Sequence, residues 1–149
     1  MKVNAETQIK SGIHNKGEIT LESMIESIKK HDNIKAIGSI LTFTGIVRGN
    51  SKEGRLVKGL KIDSYDELAN KSINEIREKV KKRKGIVEVI LVHFKGDFVL
   101  SEDIVHVVVA SSHREEGFVA LRETVELYKK VIAVWKRENF LDDSSEWIH

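Results

Sequence analysis

Ile86-Val87-Glu88-Val89-Ile90-Leu91-Val92-His93-Phe94 and Ile104-Val105-His106-Val107-Val108-Val109-Ala110 decide the fold. Both runs are nearly continuously apolar and rich in β-branched residues, which suits strands buried in the middle of a sheet. Lys95–Asp103 is read as the segment joining them. Immediately after the second run, Ser111 or Ser112 is positioned to cap a helix. Glu115 and Glu116 fall in the first turn of that helix, where its dipole favours acids. Phe118, Leu121, Val125 and Ile132 are its expected buried face, with Lys129 and Lys130 in its last turns.

Upstream, Asp66–Lys84 predicts a helix with a stripe of Leu68, Ser72, Ile73, Ile76 and Val80, stopped by Gly85. Leu56–Tyr65 reads as a strand with Leu60 and Ile62 on one face, and Ala36–Val47 as another. Between them Arg48–Arg55, with Gly49, Asn50, Ser51 and Gly54, has the composition of a mobile hairpin loop. Thr20 caps a further expected helix, with Leu21, Met24, Ile25 and Ile28 at helical spacing and an end near His31–Asn33. Residues 1–19 are polar and read as a loose strand or arm. Downstream, Trp135–Phe140 predicts a short strand, and the tail Leu141–His149 pairs back through Trp147. The order α-β-β-α-β-β-α-β implies an α+β domain with a largely antiparallel sheet and about three helices.

The chain has 149 residues, which predicts a single domain over 1–149. A 40% hydrophobic and 32% charged composition suits a globular chain with a real core. With 25 Lys and Arg against 23 Asp and Glu, the net charge of +2 makes no case for nucleic acid or membrane as partner. Cysteine is absent, so disulfides, Cys-ligated metals and a cysteine nucleophile are excluded. No apolar run approaches the length of a membrane span, and Met1–Lys10 has no apolar core of a signal peptide. The cytoplasm is the expected location.

Four segments carry possible chemistry. Lys79-Val80-Lys81-Lys82-Arg83-Lys84 reads as a solvated helix end, because no aromatic residues interleave with its charges. Phe43-Thr44-Gly45-Ile46-Val47-Arg48 delivers an arginine fork to the start of a glycine-containing loop, suited to phosphate or carboxylate, or simply a strand end in water. Ser111-Ser112-His113-Arg114 opens a helix, where free N–H groups favour anions; it is equally an ordinary capping turn. His113 with Glu116 lacks a third ligand, so no metal site is expected. Lys129 and the run Trp135-Lys136-Arg137-Glu138 offer lysines able to hold a carboxylate or lose a proton, or a cationic helix end before an edge strand. His113 and Lys129 are sixteen residues apart on one helix, about 24 Å. If both serve one small ligand, two copies of the chain are needed, which argues for a symmetric dimer with composite sites.

Taken in order, Phe43–Arg48, Ser111–Arg114, Lys129 and Trp135–Glu138 make the chain resemble the large, catalytic subunit of molybdopterin synthase, from about Gly38 to Trp147. Residues 1–35 match poorly. The resemblance implies an α/β-hammerhead-like domain and a sulfurtransferase of molybdenum cofactor biosynthesis. That activity converts cyclic pyranopterin monophosphate to molybdopterin. Two sulfurs arrive as thiocarboxylate on the C-terminal Gly-Gly of a small ubiquitin-like subunit, within a heterotetramer built on a homodimer of the large subunit. By the same resemblance Lys129 and Lys136 are catalytic, and Ile46, Val47, Arg48, His113, Arg114, Arg137 and Glu138 line the substrate site with them. His113 and Arg114 then reach the other protomer's site. No bound cofactor or metal is implied; the pterin is substrate, and its product is metal-free. The chain departs from the family pattern at Ala133-Val134, where relatives often have proline, and at Phe94, where an arginine often follows the histidine. The rival readings are a nucleic-acid or anion-binding module using Arg48, Lys81, Lys82 and Arg83, and a scaffold that binds a ubiquitin-like protein without turnover.

Overall fold

The computed structural model describes residues 9–148; residues 1–8 and 149 lie outside the described residues, and with them part of the expected N-terminal arm and the last residue of the tail. The elements are β1 (Gly12–Asn15), α1 (Leu21–Lys29), a 3-10 turn (Ile34–Ala36), β2 (Ser39–Ile46), β3 (Val57–Ser64), α2 (Asp66–Lys81), β4 (Ile86–Val99), β5 (Asp103–Ser111), α3 (Arg114–Val131), β6 (Val134–Phe140) and β7 (Ser145–Ile148). The strands form one sheet in the order β2-β5-β4-β3-β6-β7, all antiparallel, with β1 added parallel to β4. The α+β class with three helices and a mostly antiparallel sheet is therefore as expected. Three helices pack on this frame: α3 over β2, β5 and β4, α2 against α3, β4 and β1, and α1 against β5.

The two apolar runs are central. β4 and β5 pair from Ile86↔Ser111 to His93↔Val105, and Val89, Leu91, Val92 and Val107–Ala110 are wholly removed from solvent. Burying each such side chain contributes about 1.5–3 kcal/mol. α1 begins as expected: Thr20 accepts from the Ser23 N–H, Ser23 reciprocates, and Met24 and Ile28 point into the core. In α2 the inward stripe is Ala69, Ile73, Ile76 and Val80, with Leu68 left exposed. Gly85 takes φ +81°, the left-handed conformation that ends the helix.

Four expectations need correction. β4 does not stop at Phe94; it runs on to Val99, leaving only Leu100–Glu102 as a turn. Gly96, at φ +135°, lets the strand change partner from β5 to β3, where Gly96–Val99 pair with Gly59–Ile62. The loop after β2 is not a hairpin, because β2 lies at the sheet edge beside β5 while β3 sits between β4 and β6. Its own Ser51–Arg55 hydrogen bond and an Asn50–Leu56 bridge close it instead.

Neither serine caps α3. His113 is the N-cap residue, without a side-chain cap bond. Ser111 Oγ donates to the His113 carbonyl at 2.8 Å and Ser112 Oγ to the Ala36 carbonyl at 2.9 Å, so they tie the strand–helix junction to its surroundings. Finally, the buried face of α3 is Gly117, Ala120, Thr124 and Tyr128, while Phe118 is exposed and Leu121, Val125 and Ile132 only flank the core. A Cβ at Gly117 would collide with the Leu41 and Ser111 side chains. The helix lies close to the sheet on small residues, which pushes the large ones to either side.

Candidate active site

β6 sets the geometry. Its register pairs Lys136 with Ile62 and Glu138 with Leu60, so these two charged side chains share the face that Leu60 and Ile62 bury. Arg137 pairs with Lys61 and Trp147 and lies on the opposite face. Strand alternation alone separates Arg137 from Lys136 and Glu138. The Arg137 guanidinium carbon stands 5.7 Å from the Trp147 ring, and Arg137 helps line a cavity of about 500 Å³ with Asp97, Asn139 and Ser145.

Lys129, in the last turn of α3, reaches the same end of the molecule. Burial lowers the pKa of Lys136, and the charge of Lys129 lowers it further. Arg48 leaves the end of β2 and faces Glu138. Burial raises the Glu138 pKa, and Glu53 and Glu146 add to that, while Arg48 and Arg55 oppose it. The loop carrying Glu53 and Arg55 is fastened over this end: Arg55 bonds the Ser144 hydroxyl at 2.8 Å and its guanidinium lies 3.6 Å from the Phe140 ring centre. Lys129 and Lys136 thus act on each other across the turn after α3, while Glu138, on the same strand face as Lys136, feels the charges of Arg48, Arg55, Glu53 and Glu146.

The other expected residues fall elsewhere. Ile46 is exposed at the end of β2, and Val47 is buried. Val47 is held by backbone hydrogen bonds to Glu102 and Ser101. His113 and Arg114 are exposed at the opposite end of α3 from Lys129. An unbroken helix between them keeps them about 24 Å away. One protomer therefore does not bring them to the lysines.

Sequence reasoning missed Glu53, Arg55 and Glu146, which shape the field at Glu138, and it passed over His93 and Tyr128. His93 is 1% exposed, and its Nδ1 lies 3.1 Å from the Phe94 carbonyl. Burial holds its pKa down at about 4, with the Lys136 charge contributing. Tyr128 meets the His93 ring edge-on, centroids 6.0 Å apart, and burial pushes its hydroxyl up to about 12. The signal was present, a histidine inside the apolar run Val89–Phe94. Among the described residues no group of three or more His, Asp or Glu is placed to hold a metal, and no helix is long and apolar enough to cross a membrane.

The basic run at the end of α2 is partly neutralised. Lys81 meets Glu88 at 3.3 Å, and Arg83 Nε and Nη2 donate to the two Glu123 carboxylate oxygens, at 3.2 and 2.6 Å.

The model of the family described as MoaE protein matches residues 15–131. A molybdopterin synthase catalytic subunit from Pyrococcus abyssi is 38% identical over 111 residues, 74% of this chain and 74% of that one. A Haloferax volcanii protein named "Probable molybdopterin synthase" is 31% identical over 132 residues, 88% of this chain; the chain spans half of that protein's length. The crystal structure of molybdopterin synthase from Staphylococcus aureus superposes with a TM-score of 0.83 at 25% identity, covering 95% of this chain and 98% of that one. With the family model matching well over half of its length, from β1 to the end of α3, the chain belongs to the MoaE family.

Proposed function

We propose that this chain is the catalytic subunit of a molybdopterin synthase, a sulfurtransferase that converts cyclic pyranopterin monophosphate to molybdopterin. The observation that carries the reading is Lys136, half-buried in the field of Lys129 and on the strand face it shares with Glu138, where the charge of Arg48 also acts. Two adjacent like charges repel until an anion lies between them, so the surface is built to receive one. The substrate's cyclic phosphate and the partner's thiocarboxylate are both anions. Arg48 suits the phosphate through its planar fork, and the lysines suit the incoming tail.

In each transfer the thiocarboxylate sulfur attacks a substrate carbon and forms the new C–S bond as a C–O bond at that carbon breaks, one oxygen leaving as water and the other staying on the opened phosphate. Water then adds to the acyl carbon of the adduct. The acyl–sulfur bond breaks, leaving sulfur on the pterin and a plain carboxylate on the partner. Lys129 and Lys136 stabilise the oxyanion of that hydrolysis. Glu138, with its raised pKa, is suited to exchange protons there. The substrate's remaining anionic groups fall to His113 and Arg114 of a second copy, which makes the assembly a homodimer of this chain with one small ubiquitin-like subunit per site. Arg137 lies outside this pocket. The proposal includes no resident metal or cofactor and a cytoplasmic setting.

The test is to mix the protein with a thiocarboxylated small subunit and cyclic pyranopterin monophosphate and follow products by mass spectrometry. A pterin heavier by two sulfurs supports the reading. A stable complex without product moves it to a scaffold, and salt-sensitive oligonucleotide binding instead of either would support the rival module.

A further inference from the structure

His93 is buried on β4 against Tyr128 of α3, three residues before Gly96, which pairs with Ile62 of β3 as Ile62 in turn pairs with Lys136 of β6. Its Nδ1 hydrogen donates to the Phe94 carbonyl, 3.1 Å away, which settles the neutral tautomer and leaves Nε2 as a bare acceptor. That Nε2 is sealed from solvent and has no hydrogen-bond partner within the chain. Buried acceptors are nearly always satisfied, so an orphan beside a functional surface calls for a donor. The groups around it narrow the choice. β5 presents Val105 and β1 presents Ile13 at the paired positions. α3 presents the Tyr128 ring edge. Among the described residues Lys136 is the one charged group whose field acts on His93.

We infer that His93 is a positioning residue for Lys136, its Nε2 accepting a hydrogen bond from the Lys136 ammonium when the site is filled. This deepens the reading above and rests on it for the role of Lys136, though not for the contact itself. Lys136 alone is a flexible stem whose half-buried ammonium is pushed away by Lys129. A neutral acceptor on the inner side takes one of its three protons, fixes the direction of the others toward the anion, and favours the charged form. His93 suits this because burial keeps it uncharged. A protonated imidazole here would repel the lysine it has to hold.

The experiment reads Lys136 directly. With saturating inorganic phosphate filling the site, the reactivity of its amine toward an acylating reagent is followed against pH, with modification at Lys136 quantified by peptide mass spectrometry, in the wild-type chain, His93→Phe and His93→Gln. Phenylalanine keeps the ring volume and removes the acceptor; glutamine restores an acceptor oxygen near the Nε2 position. The expected result is a Lys136 midpoint lowered by about one pH unit in His93→Phe and largely restored in His93→Gln. In turnover with the thiocarboxylated small subunit, the alkaline limb of the pH profile should move down with it in His93→Phe, with complex formation unchanged. If His93→Phe unfolds, His93→Gln and His93→Asn are compared instead; the shorter Asn amide cannot reach, so the midpoint drops in Asn alone. A Lys136 midpoint the same in every folded variant overturns the inference, whatever the turnover. Absence of turnover in the wild-type chain overturns the functional reading and leaves the titration result standing.

Discussion

Lys136 lies half-buried on β6 with its ammonium in the field of Lys129, although the two belong to different elements separated by the turn after α3. An arrangement that lowers the pKa of a lysine by burial and by a like charge opposes folding. The sign follows from linkage: the unfolded chain holds the proton more tightly than the folded one. The penalty is therefore full below the lowered pKa and fades as pH rises toward the ordinary value of 10.5. Lys136→Met should accordingly raise the melting temperature by about 2 °C near pH 7 while abolishing product formation. A melting temperature that falls instead would show that the ammonium is already well solvated.

Glu88 works in the opposite sense. Burial opposes its ionisation, but the Val89 N–H and the charges of Lys81 and Arg77 outweigh that and bring its pKa below 4.5. His31 completes the cluster at 3.3 Å, so the turn after α1, helix α2 and strand β4 are tied at one carboxylate. Glu88→Gln should cost about 2 kcal/mol in urea denaturation at pH 7. The contribution is present above 4.5 and is lost as pH falls through the lower folded value, so wild type and variant should converge in acid.

Gly117 is the point where α3 meets the sheet. Alanine there is a better helix former, but its methyl group would press on Leu41 and Ser111. Overpacking should win: Gly117→Ala is expected to lose about 1–2 kcal/mol in chemical denaturation. Because α3 carries Lys129 at its far end, turnover should drop with it.

The separation of His113 from Lys129 makes a prediction about assembly. His113→Ala and Lys129→Ala chains should each be inactive in turnover. Mixed and re-equilibrated, they should recover about a quarter of wild-type activity, since half the dimers are hybrids with one intact site of two. No recovery in verified hybrids would mean that each protomer works alone.

The sheet's middle was legible because β4 and β5 are continuous apolar runs that fit nothing but buried strands. Their partners were not. Whether β3 pairs with β2 or with β4 and β6 depends on contacts between distant segments, and the decisive residue, Gly96, looked like part of a connecting loop. The face of α3 was misread because hydrophobic patterning weights large residues, and this helix buries Gly117, Ala120 and Thr124. At the site, the alternation of Lys136, Arg137 and Glu138 between two faces was available from strand period alone. The approach of Lys129 to Lys136 was not available from spacing; it came with the family resemblance. Glu53 and Glu146 were invisible because they reach Glu138 from separate loops and strands.

The most direct test of the central claim is a single-turnover comparison of the wild-type chain and Lys129→Ala, each bound to the thiocarboxylated small subunit. Intact-protein mass spectrometry follows the partner's tail as pterin is added. The account predicts that the wild type converts the thiocarboxylate to carboxylate as dithiolene product appears, and that Lys129→Ala holds the complex but converts neither. Conversion by Lys129→Ala at the wild-type rate, or loss of the complex in that variant, would contradict it.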